Sequence, residues 1–167
     1  MSELLSRLRQ FLSIWFGPKP TPAPEPSPAP EPAPEPVPPI QPIPAPPSPE
    51  SAVVEAINSA RASQGLSSLV EDDALAQLAT SWASSMAASG DMEHGDFADR
   101  IASIYPNTAA SENIAEGQPD AASVVDAWMG DPPHRANILG DYNRLGVGIG
   151  RDASGAIYWC TDFVQID

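Results

Sequence analysis

The chain has 167 residues, 21 prolines and a net charge of −14, a length suited to one ordinary domain and not two. Lys and Arg are too few and too scattered for the phosphate-neutralising surface of a nucleic-acid binder: after Glu50 there are only Arg61, Arg100, Arg135, Arg144 and Arg151, and no lysine. The single cysteine, Cys160, excludes an intrachain disulfide, so the domain must be held by its core.

Three segments follow one another. In residues 1–17, Leu4, Leu5, Leu8, Phe11, Leu12, Trp15 and Phe16 fall on one face of a helix, with Glu3, Ser6, Arg7, Arg9, Gln10 and Ser13 on the other. Gly17-Pro18 stops it. The stretch is too short and polar to span a bilayer. It also makes a poor cleavable signal peptide, because its apolar part is brief and no small-x-small site precedes the prolines. A face that cannot be buried at home predicts an anchor, Met1–Phe16 docking on a membrane surface or on a protein assembly. With only Arg7 and Arg9 to attract anionic lipid, a protein partner is favoured slightly.

Residues 18–49 are proline at nearly every second position, broken by Glu25, Glu31 and Glu35. Proline fixes φ and removes amide donors. The expectation is a polyproline II linker rising about 3.1 Å per residue. Its regular texture gives a proline-reading partner nothing distinctive to recognise.

Residues 50–167 carry the globular pattern. Val53, Val54, Ile57 and Ala60 predict a helix ended by Gly65. Leu75, Leu78, Ala79, Trp82 and Met86 predict a second, capped by Asp72 or Asp73 and stopped by Gly90. Phe97, Ile101 and Ile104 suggest a short third piece. Asp120 caps a fourth through Val124, Val125 and Trp128, which Pro132-Pro133 terminates. Leu145–Gly150 and Ala156–Val164 read as a β-hairpin, and Glu112–Ala115 as a further strand. Cys160 is expected in the second hairpin strand, buried and inert. Tyr158 and Trp159 alternate along it, so one of them is expected to face outward. The class is α+β, and the domain is expected to fold alone as a monomer.

The chain's two histidines, His94 and His134, share this domain with Glu112 and Asp131 in the runs SENIAEG and WMGDPPHRANIL. Two imidazoles and two carboxylates can hold a divalent metal or work as acid and base. Each also has a plainer reading: His94 as a helix cap, His134 orienting its loop, and Glu112 tying its strand to Arg100 or Arg135. Asn113 and Asn137 read as hydrogen-bonding anchors, and Trp82, Trp128 and Trp159 as core.

The ordered motifs resemble the CAP superfamily, the SCP domain of cysteine-rich secretory, antigen 5 and pathogenesis-related 1 proteins, in its compact bacterial branch. They are Asn58, Arg61, Gly65 and Leu66; Ala79, Ala83 and Met86; His94; Glu112–Gly117; Val124–Met129; His134–Leu139; Gly146–Gly148; and Tyr158–Phe163. The resemblance runs from about Val53 to Phe163. It implies a three-layer α–β–α sandwich around a small, three-stranded antiparallel sheet. It also implies a central cleft lined by His94, Glu112, Asp131 and His134, with His94, His134 and Glu112 as ligands of a zinc-like divalent cation. Asp131 stands where the family carries Glu or Ser.

No G-x-S-x-G elbow or H-E-x-x-H device is present. The resemblance implies binding and extracellular roles and no shared reaction, so the favoured function is a tethered, non-enzymatic binding domain, extracellular or surface-displayed, with an unidentified small ligand in the cleft. Two alternatives stay open: a metal-dependent extracellular hydrolase, and an appendage domain docked by its N-terminal helix on a virus particle or cell envelope.

Overall fold

The computed structural model describes residues 47–167, which lie in the second of the two units into which the chain divides, Ile43–Asp167. The expected anchor helix Met1–Phe16 and the proline-rich stretch up to residue 46 lie outside the described residues. Helix α1, Pro49–Ser63, starts at a Ser48 cap that accepts the Ser51 amide, with Pro49 in its first turn. It buries Val53, Ile57 and Arg61 along one stripe. A two-residue strand β1, Val70–Glu71, leads into α2, Asp73–Ser89. Asp72 caps α2 by accepting the amides of Ala74 and Leu75, and Gly90 closes it in the left-handed conformation. A short α3, Phe97–Ala102, precedes strand β2, Ala109–Glu116. Helices α4, Ala121–Gly130, and α5, Pro132–Ile138, lead to the hairpin β3, Arg144–Arg151, and β4, Ile157–Gln165.

The sheet order is β1-β3-β4-β2. β4 lies between β3 and β2 and pairs antiparallel with each, the three-stranded antiparallel arrangement expected; β1 adds a short parallel edge against β3 that was not foreseen. Pro132-Pro133 ends α4, as predicted, but the same pair also opens α5. Proline is tolerated in a first helical turn, where its missing amide has no partner to lose.

Helices cover both faces of the sheet. On one, Leu145, Val147, Trp159 and Phe163 pack with Val53 and Ile57 of α1 and Val124 and Trp128 of α4. On the other, Tyr158, Cys160 and Ile114 meet Ala79, Ala83 and Met86 of α2. This corrects the expectation for Tyr158 and Trp159. Both are buried, because a strand covered on both faces hides every side chain.

The close approach of α2 is written in β3. Gly146, Gly148 and Gly150 alternate on the α2 side, and a Cβ on each would lie 2.2, 2.0 and 2.2 Å from α2 backbone atoms. Only bare backbone lets the helix lie this near the sheet. Buried Arg61 ties α1 to the turn after α5, donating to the carbonyls of Ile138 at 2.7 Å and Gly140 at 2.8 Å. Among the described residues, no helix is long and apolar enough to cross a membrane.

Candidate functional site

β2 is the outer strand of the sheet, and its Glu112-Asn113 step reaches both histidine-bearing elements. Successive side chains on a strand point to opposite faces. Glu112 turns toward α2 and α3, and Asn113 toward α5.

On the Glu112 side, the loop between α2 and α3 carries His94. Trp82 of α2 donates its indole N–H to the Glu93 carbonyl at 2.9 Å. Gly95 has φ +51, and a Cβ there would lie 2.4 Å from the Trp82 ring; glycine lets the loop press onto the indole. Arg100 of α3 stacks over the same ring at 3.9 Å. It donates to the His94 carbonyl at 2.8 Å and to Glu112 Oε2 at 2.5 Å. His94 Nδ1 then lies 2.8 Å from Glu112 Oε1. Of the two readings of Glu112 as a structural tie, Arg100 is the partner found. His94 does not cap α2, since Gly90 does.

On the Asn113 side, Asn113 donates to the His134 carbonyl at 3.0 Å. Asn137 donates to the Glu112 carbonyl at 3.1 Å and to Asn113 Oδ1 at 2.8 Å. Both asparagines are anchors, as expected. His134 Nδ1 is 2.6 Å from Asp131 Oδ2. Asp131 stands at the N-cap of α5 without making a capping bond there; its carboxylate is directed to the imidazole. A cleft of about 350 Å³ lies beside β2, with Met92, Ile114, Glu116, Trp128, Asp131 and His134 on its walls. The buried Trp128 donates its indole N–H to the Ile114 carbonyl at 3.1 Å, which fixes the cleft floor. A larger groove of about 570 Å³ beside Glu71, Asp73 and Gln77 contains no histidine; the smaller cleft has His134 on its wall.

The four predicted residues therefore form two pairs, His94 with Glu112 and His134 with Asp131. Each imidazole has its Nδ1 against a carboxylate, as a hydrogen bond for His94 and as an ion-pair contact for His134, and neither Nε2 bonds to a described residue. Orientation of one ring nitrogen by an acid is the arrangement of ligating histidines, but among the described residues His94 and His134 do not converge with an acid as a ligand group. Glu112 has other obligations. Beyond His94 and Arg100 it accepts from the Cys160 thiol, at 3.2 Å.

Asp162 is a residue the sequence reading missed. It stands opposite Glu112 in the β2–β4 register, and Glu112, Cys160 and Asp162 bring one donor atom each within 4.8 Å of one another. That buried group can hold a metal, and it shares only Glu112 with the ligand set expected from the sequence. Burial, with Glu112 alongside, raises the Asp162 carboxyl well above the usual carboxylate range. Burial also raises the Cys160 thiol, the neighbouring carboxylates adding to it, and the cysteine is buried, as expected. Strand alternation was the available signal, since Cys160 and Asp162 share a face two residues apart.

The model of the cysteine-rich secretory protein family matches residues 54–163. The uncharacterized protein YkwD of Bacillus subtilis (strain 168) is 35% identical over 127 residues, covering 69% of this chain and 46% of that protein. The uncharacterized membrane protein YlbC of the same strain is 28% identical over 123 residues, covering 70% of this chain and 34% of that one. The chain thus spans about half and a third of the lengths of these relatives. Among solved structures, an outer surface protein of Borrelia burgdorferi superposes with a TM-score of 0.64 at 20% identity, over 70% of this chain and 92% of that one. An extracellular SCP-domain protein of Bacillus anthracis gives 0.61 at 22% identity, over 71% and 40%. With a family match across most of the globular part and the predicted fold in place, the chain belongs to the cysteine-rich secretory protein, or CAP, family.

Proposed function

We propose that this chain is a non-enzymatic binding domain of the extracellular or surface-displayed kind, tethered through its N-terminal segment. Its cleft beside β2 takes a small ligand together with a zinc-like divalent cation. The observation that carries this reading is the Asp131–His134 pair on the cleft wall, 2.6 Å apart; His94 and Glu112 are not among the residues on that wall. Imidazole nitrogens suit zinc-like ions, and the Nδ1 anchors leave Nε2 as the ligating atom on both rings. Support for the location comes from two structural neighbours, an outer surface protein and an extracellular protein. The proline-rich stretch and the amphipathic Met1–Phe16 serve as spacer and anchor, on a protein assembly or a membrane surface.

The same pair favours one second reading, a metal-dependent hydrolase, because a carboxylate-oriented imidazole is also how a general base is held. Calorimetric zinc titration of the full chain decides, run beside a screen of ester, peptide and glycoside substrates. Binding that is lost in both His94→Ala and His134→Ala, without turnover, is the expected result. Unchanged zinc affinity in both variants overturns the cation site. Metal-dependent turnover that disappears in His134→Ala replaces the binding reading with the hydrolase.

A further inference from the structure

We propose that Glu112, Cys160 and Asp162 form a second, closed site for a borderline-soft divalent cation such as zinc, buried between the sheet and helices α2 and α3. None of the three lines the cleft, and two of them belong to no ligand set argued above. Three different donors, a thiol and two carboxyls, converge within 4.8 Å, with Glu112 5%, Cys160 0% and Asp162 1% exposed. Chance clusters of acids are common at surfaces, where water and salt dissipate their repulsion. This one is in the core, where burying like-charged groups is expensive.

The independent sign is Asp162 Oδ2. It is buried and receives no hydrogen bond from any described donor. A buried carboxyl oxygen without a donor either carries a proton or faces a cation. Its partner Oδ1 accepts only a distant contact from the Cys160 thiol, at 4.0 Å.

The charges favour a divalent ion. Two carboxylates and one thiolate sum to −3, and a divalent ion with Arg100 supplies +3. Arg100 already lies against Glu112 Oε2 and stacks over Trp82, so it can stay close while yielding that oxygen to the metal. On binding, the Cys160 S–H bond breaks, its proton leaves to solvent, and sulfur donates its pair to the ion. Any proton on Asp162 leaves in the same way. Thiolate selects zinc-like ions over magnesium or calcium, which take oxygen ligands. The fourth position falls to water, since His94 does not converge with these three donors.

Cobalt reports on this site directly, because a thiolate ligand gives Co(II) an intense near-ultraviolet charge-transfer band that imidazole and carboxylate ligands do not. The full chain, reduced and chelator-treated, is titrated with cobalt chloride alone. A band that saturates at one equivalent is expected. It should be absent in Cys160→Ser, weakened at least tenfold in affinity in Asp162→Asn, and intact in His134→Ala. Cobalt binding without the band in the wild-type chain overturns the site, and so does no binding at millimolar metal. Both outcomes rest on the wild-type protein, so neither depends on a variant folding. Loss of the band in His134→Ala would also overturn it. The cleft reading stands or falls separately, on whether zinc binding without a thiolate signature needs His134.

Discussion

His94 lies 2.8 Å from the carboxylate of Glu112 and His134 2.6 Å from that of Asp131, yet the Glu112 side chain is 1% exposed and the Asp131 side chain 47%. One pair is rooted in the sheet and the other sits on a helix end in reach of solvent. Proximity is therefore a poor guide to weight. Glu112 is the buried half of a network that includes Arg100, the His94 loop, Cys160 and Asp162. Asp131 serves one imidazole three residues along its own helix. Disturbing the first pair should damage the fold before the chemistry, and disturbing the second should damage the chemistry alone.

The sharpest break of that contrast is Glu112→Gln. The amide keeps the shape and removes the charge that Arg100 answers, leaving a largely buried guanidinium without its anion. Removing one partner of a buried ion pair costs about 3–5 kcal/mol. With the Arg100 side chain 16% exposed, the lower end is expected. Urea denaturation should show a lower midpoint at unchanged slope. Adding Arg100→Met should recover part of the loss, because the orphaned charge then goes too. A loss under about 1 kcal/mol, the range of exposed ion pairs, would mean the pair behaves like a surface contact, and the distinction between the two histidine sites would collapse.

Asp162→Asn probes the same buried network with the opposite sign. Burial and Glu112 raise the Asp162 carboxyl in the folded protein. A raised carboxyl contributes stability that is complete below its unfolded value, about 3.9, and is lost as pH rises through the folded value. Relative to Asp162→Asn, the metal-free wild-type domain should therefore lose stability as pH climbs from about 4. Asparagine has no such proton to lose, and its amide can donate to Glu112. The variant should overtake the wild type toward alkaline pH by about 1–3 kcal/mol, the cost of an unsatisfied buried polar group. Thermal melts across pH check this; parallel curves for the two proteins would show that Asp162 keeps its charge at no cost.

The contrast between the pairs was only half visible in the residues. His94, Glu112, Asp131 and His134 stand out because each is a rare polar type inside a recognisable motif. The helices are legible through Asp72, Gly90 and Asp120, whose side-chain and backbone chemistry marks ends locally. What was hidden depends on partners far apart in the chain. The β2–β4 register that sets Asp162 against Glu112 is a tertiary fact, and so is the helix cover that buries Tyr158 as well as Trp159. Helix α5 was obscured for a local reason: Pro132-Pro133 reads equally as an end and a beginning, and here it is both.

Asp131→Asn should have the smallest effect on stability and is the most direct test of what the exposed pair is for. The two side chains are 29% and 47% exposed, three residues apart on one helix end, and pairs of that kind contribute about 0–1 kcal/mol. The Asp131 carboxylate makes no capping bond, so α5 loses nothing on that account, and its proline-led first turn and the Asn113–His134 bond remain. The melting temperature should stay within the scatter of repeated scans. Orientation of the ring is another matter. An asparagine oxygen can still accept from Nδ1, but it brings no charge to strengthen the ligand, and such outer partners change metal affinity by about 10–100-fold. Calorimetry should then show zinc binding at the cleft weakened on that scale in a protein as stable as the wild type. If instead stability falls and affinity holds, Asp131 is a structural residue of α5. The cleft would then lose the one feature that separates His134 from a histidine merely exposed at a helix end.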